Sequence, residues 1–218
     1  MLREAKREIG VHGIYAWSNA KKGRVERERV QQVLGVGDGK LGVRMHWLYY
    51  DERTPALLEE AGYSYDSTFG YNDAIGYRAG TTQAFRPLDA ERLLELPMHI
   101  MDTALFYQSY MNLSPRAAKA EVRALLDNAE RFGGSLVINC HDRSLAPERM
   151  WDDFYIELVE ELKRRGAWIP NAADAVAWFR VRRVARFDSE TIANQAEDTR
   201  LPRLQRVAHE QLQWQATA

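Results

Sequence analysis

Histidine is the residue type in this chain whose placement most suggests chemistry. There are five, and four of them (His12, His46, His99 and His141) each close a short apolar run that reads as a β-strand. Imidazole is the commonest metal ligand and the commonest general acid–base group. In parallel α/β folds the C-terminal ends of the strands form one face, where active sites gather. Four imidazoles delivered to such a face can converge on one site. The competing reading is four unrelated strand-end residues satisfied by local hydrogen bonds. His209 lies in polar sequence and reads as solvated.

His141 has the most suggestive setting. The β-branched run Leu136-Val137-Ile138-Asn139-Cys140 leads into it, and the loop Asp142-Arg143-Ser144 opens directly after. Asp142 either orients the imidazole or caps the loop. Strand alternation points Cys140 away from His141, so the thiol reads as a small buried hydrophobe, not a nucleophile. Asp102, three residues past His99, and Asp66, at the end of Tyr63-Ser64-Tyr65, are the nearby carboxylates. Each suits a metal ligand, a base or a substrate contact, or equally a turn residue bonding its own backbone. With His99 they are taken as candidate substrate-binding residues. Arg44 and Arg78 either hold a carboxylate in bidentate fashion or form surface ion pairs. Aromatic residues are dense from Trp47 to Tyr77 in Gly- and Asp-rich sequence. Trp47 is the candidate there for packing against a sugar ring, with ordinary core burial as the alternative.

The elements that must carry these residues alternate. Strand-like runs end at His12, His46, Ser67, Met101 and Asn139, with Ala167–Ile169 as a short last strand. Helices are expected over Leu2–Arg7 and Arg24–Leu34, from Thr54-Pro55 to Gly62, from Ser114-Pro115 to Gly133-Gly134, from Pro147 to Gly166, and from Asn171 through Phe179. The Ser/Thr-Pro pairs are start signals and the glycines stop signals. Such alternation argues for parallel βαβ units. The pattern decays after about Arg183, so residues 1–183 form the expected domain. Residues 184–218 form a polar tail, with one helix near Leu204 to Leu212.

Composition narrows the function classes. A chain of 218 residues, 45% hydrophobic, can bury a real core. A net charge of −1 leaves no basic field for nucleic acid or an anionic membrane surface. No apolar run reaches the roughly 20 residues of a membrane span, and the charged N-terminus lacks a signal-peptide pattern. With one cysteine, this fits a cytoplasmic location. A nucleophile elbow, a phosphate loop and a dinucleotide fingerprint are all absent.

Three stretches together resemble the polysaccharide deacetylases of the NodB-homology group. Glu8-Ile9-Gly10-Val11-His12 resembles the family's second motif, which delivers a metal-binding histidine. Arg44-Met45-His46-Trp47 resembles the third motif, and Leu136 to His141 with Asp142 the last. The resemblance covers roughly residues 1–183. It implies a partial or distorted (β/α)7 barrel and a divalent metal, usually zinc, with an N-acetylated carbohydrate as substrate. Carried over, His12 is a metal ligand, His141 the catalytic acid and Arg44 the residue that positions the base, with Asp142 beside it. The family's first motif, an Asp-Asp pair, has no counterpart here, so the domain is expected to be N-terminally incomplete. Ala16 stands where a second metal-binding histidine is usual, which leaves His46 as a stand-in ligand. Missing strands would leave open edges prone to self-association. These departures also keep a second reading open, a catalytically inactive carbohydrate-binding or scaffold remnant of the same fold.

Overall fold

The computed structural model describes residues 8–35, 41–146, 148–187 and 192–193. It is a mixed α/β structure with parallel sheets. The first sheet holds β1 (Val11–Gly13), β2 (Gly42–Met45), β3 (Tyr65–Asp66) and β4 (Leu94–Glu95), adjacent in that order and parallel throughout. A second parallel pair joins β5 (Met98–Met101) to β6 (Val137–Asn139). The strands do not close into a barrel among the described residues.

The helices begin and end where local chemistry directs. α1 (Ala20–Leu34) is capped by Asn19, whose side chain accepts from the Lys22 amide, and stops at Gly35 in the left-handed conformation. Its start lies four residues before the expected Arg24. α2 (Thr54–Glu60) has Pro55 in its first turn. A short α3 (Asp102–Phe106) follows β5 directly. α4 (Pro115–Phe132) is capped by Ser114, and its buried stripe is Ala118, Val122, Leu125 and Leu126. α5 (Asp152–Arg164) buries Phe154 and Leu158.

Two apolar clusters back these elements. Val11, Val43, Met45, Leu58, Tyr63 and Leu93 pack around the first sheet. Ile100, Leu105, Val122, Leu126, Phe154 and Leu158 join β5 to α4 and α5. Gly42 is required by a close approach: a methyl group there would fall within the Tyr65 ring on the neighbouring strand.

The chain divides into two compact units, Met1–Ala173 and Asp174–Ala218. The second holds most of α6 (Ala172–Val184). The second also contains the antiparallel pair β7 (Arg186–Phe187) and β8 (Ile192–Ala193). Further features differ from the sequence expectation, among them the start of α5 at Asp152 and not Pro147 and the strands β7 and β8 in the expected tail. Ala167–Ile169 is irregular, not a strand, because nothing pairs with it. β4 and α3 were not expected. The histidines are also not uniformly strand ends: His12 and His99 lie within strands, His46 opens a 3-10 turn and His141 follows β6 by two residues. The helices expected over 2–7 and 204–212 lie outside the described residues.

Candidate active site

β1 and β2 run in parallel register with His12 opposite Arg44. The chain leaves β2 through a 3-10 turn that starts at His46. That turn returns His46 toward β1, so that His12 Nε2 and His46 Nδ1 lie 2.9 Å apart with the rings nearly perpendicular. The turn is strained. Trp47 and Leu48 have φ of 52° and 54°, the left-handed region that side-chain-bearing residues rarely occupy. Asn72 Nδ2 donates to the Trp47 carbonyl at 2.9 Å and holds it. The strain presents the Trp47 ring outward, 66% exposed and stacked on His46.

His141 is held by Asp102. The carboxylate at the start of α3 accepts from His141 Nδ1 at 2.7 Å and from the His141 backbone N–H at 2.6 Å. Asp102 is buried while the His141 side chain is about half exposed. The imidazole thus has a fixed inner nitrogen and leaves Nε2 toward solvent. Hydrogen bonding to Asp102 raises the His141 pKa above its ordinary 6.5, against the opposing effect of burial. Burial pushes Asp102 upward, but its bonds to His141 and Ser144 prevail and leave it below the usual carboxylate range.

Arg44 lies between the two histidine groups electrostatically. Its Nε donates to the Ser67 carbonyl at 2.9 Å, Nη2 to Ser67 Oγ at 2.9 Å, and Nη1 to Asn139 Oδ1 at 3.0 Å. Burial lowers the His12 pKa, and the charges of His46, Arg44 and His141 lower it further. These four residues therefore share one electrostatic environment.

The remaining candidates fall elsewhere. Asp142 bonds the Arg143 amide at 2.7 Å, so it tightens its own loop while Asp102 orients the imidazole. His99 is 2% exposed. Its Nε2 meets the Thr81 carbonyl at 3.1 Å, and its Nδ1 accepts from the Val137 amide at 3.3 Å. Burial depresses its pKa, so it is a neutral brace between β5 and its surroundings. Arg78 donates to the Gly70 carbonyl at 2.9 Å and lies over the Phe69 ring, organising that loop. Asp66 is fully buried. Ala16 is fully buried too, close to Gly23 of α1, so a side chain there faces packing. Cys140 is half-buried, and burial raises its thiol pKa to about 12.

Two residues escaped the sequence reading. In sequence Asn139 is simply the end of a strand, yet its Oδ1 accepts from Arg44. Glu95, directly opposite Asp66 on the next strand, was visible only as one acid within the apolar run Leu93-Leu94-Glu95-Leu96.

A catalytic zinc site takes three protein ligands plus water. Among the described residues no group of three or more His, Cys, Asp or Glu side chains is placed to hold a metal. Two nitrogens sharing one zinc sit roughly 3.3 Å apart. The 2.9 Å between His12 and His46 is instead a hydrogen-bond distance. Among the described residues, therefore, no such centre is assembled.

No family model matches the chain, and no curated protein matches it. Among solved structures it is similar to a Mycobacterium smegmatis protein provisionally described as a polysaccharide deacetylase, with 23% identity and a TM-score of 0.61. The match covers 84% of this chain and 66% of that one, so this chain spans just under two thirds of its neighbour. At that identity the likeness is one of fold, and it agrees with the resemblance carried by the histidine-bearing strands. No helix among the described residues is long and apolar enough to cross a membrane.

Proposed function

We propose that this chain is a polysaccharide deacetylase-like hydrolase of the barrel type, acting on the C–N amide bond of an N-acetylated sugar. The observation that carries this reading is the His141–Asp102 pair at 2.7 Å, its imidazole open to solvent on one side. With Nδ1–H bound to Asp102, His141 offers its Nε2 proton to the leaving amine as a water oxygen bonds the acetyl carbon and the C–N bond breaks; the proton lost by the resulting acetic acid restores the imidazolium. Asp102 stabilises the imidazolium that precedes this transfer. The exposed Trp47 ring provides an apolar face for a sugar. No divalent cation is assigned to His12 and His46, whose 2.9 Å spacing is that of a hydrogen bond.

The test is acetate release from N-acetylated chito-oligosaccharides with added zinc. Wild type should release acetate, and His141→Ala should reduce the rate by about 10²–10⁴-fold, as for loss of a general acid. Equal rates in the two proteins would refute the assignment. The hydrogen-bond spacing of His12 and His46 favours a second reading, a non-catalytic carbohydrate-binding domain. Glycan binding without acetate release from wild type would select it.

A further inference from the structure

Asp66 and Glu95 are directly opposed on the parallel strands β3 and β4, and both are fully buried. Two of their oxygens have conventional donors, one of them a hydroxyl fixed in turn by a backbone amide. Thr68 Oγ1 donates to Asp66 Oδ1, Met45 N–H donates to Thr68 Oγ1 at 3.0 Å, and Phe69 N–H donates to Glu95 Oε1 at 2.9 Å. The other two oxygens, Asp66 Oδ2 and Glu95 Oε2, have no donor at all. Like charges directly opposite across a sheet repel, and two ionised carboxylates stripped of water are costlier still. One shared proton removes both problems, because an O–H on either acid supplies the missing donor to the other.

The surrounding charges point the same way. Arg44 on β2 is the cation that bears on both acids. Tyr50 and Tyr63, the other titratable groups facing the pair, are held protonated by burial. One cation against two carboxylates leaves an excess negative charge in the core. One cation against a pair that retains one proton is neutral.

We infer that Asp66 and Glu95 hold a single proton between them, and that the resulting single negative charge is the counter-charge that positions Arg44 at the site. These are positioning residues. They act on His12 and His141 only through Arg44, whose field reaches both imidazoles. The inference rests on the proposed function only for its relevance to turnover, and neither readout below involves turnover.

Infrared spectroscopy of the wild-type protein at neutral pH should show the carbonyl band of one protonated carboxyl. Glu95→Gln imitates the protonated partner: its amide N–H₂ donates to Asp66 Oδ2, and its oxygen still accepts from Phe69. That variant should lose the band and leave the His141 midpoint unmoved in an NMR titration. The double variant Asp66→Asn/Glu95→Gln removes the counter-charge, so the His141 midpoint should shift down. Absence of the band in wild type would overturn the inference. So would a lowered His141 midpoint in Glu95→Gln, which is what removing a full negative charge would produce. The wild-type spectrum decides even where the double variant does not fold.

Discussion

At the scale of single residues, the contact with the clearest consequence is Asp102 on His141. The two groups shift in opposite directions, so their joint contribution to stability has two edges. His141 is raised in the folded state, so its share is fully present below its ordinary 6.5 and is lost as pH rises through the folded value. Asp102 is lowered, so its share is present above its ordinary 3.8 and is lost as pH falls through the folded value. Asp102→Asn keeps the shape and removes the charge. The His141 midpoint should fall in an NMR titration, and acetate release should drop by about 10²–10⁴-fold. An unchanged midpoint would show that Asp102 does not set the imidazole's charge. The sequence put Asp142 beside His141 as the residue to orient the imidazole, and made Asp102, near His99, a substrate-binding candidate. Asp142 is adjacent in the chain but spends its oxygen on its own loop. Asp102, at the head of a five-residue helix that the sequence did not announce, reaches the imidazole from 39 residues away. Pairings that depend on where a short unpredicted element begins are not written in local pattern.

At the scale of elements, Arg44 bridges from β2 to Ser67 just past β3 and to Asn139 at the end of β6. One guanidinium thereby links the two sheets through three donors in fixed planar geometry. Lysine supplies a point charge that cannot reproduce that fork. Arg44→Lys should therefore cost about 1–3 kcal/mol, the penalty for buried groups left without a partner, and chemical denaturation would measure it. No loss would mean that water or a relaxed side chain replaces the fork. The helices were the legible elements. Ser114-Pro115 and Thr54-Pro55 mark their starts to within a residue, because caps and first-turn prolines act locally. Ser114→Ala should cost about 1 kcal/mol by the same measurement, through loss of the bond to the Ala117 amide. Two-residue strands carry few positions for periodicity to declare, and β4, unlike the run that ends at Ser67, was not expected. They form because neighbouring strands hold them, and Glu95 was overlooked for that reason.

At the scale of the whole molecule, the pH dependence of stability integrates every shifted group. His12 and His99 are depressed by burial, so they withdraw stability as pH falls below their ordinary 6.5. Glu95 acts in the opposite direction. Burial and the facing Asp66 hold its pKa well above the ordinary 4.5, so the native state keeps a proton that the unfolded chain releases. Stability then falls as pH rises from that ordinary value through the folded one. The slope for one proton is about 1.4 kcal/mol per pH unit. Glu95→Gln removes this dependence and leaves the histidines as they were. The difference in unfolding free energy between Glu95→Gln and wild type isolates the acid pair from the rest of the molecule. It should move in favour of the variant between about pH 5 and about pH 8, by no more than the one-proton slope. Denaturant titrations at several pH values would read it. A difference that stays flat across that range would mean that Glu95 keeps no proton which the unfolded chain gives up.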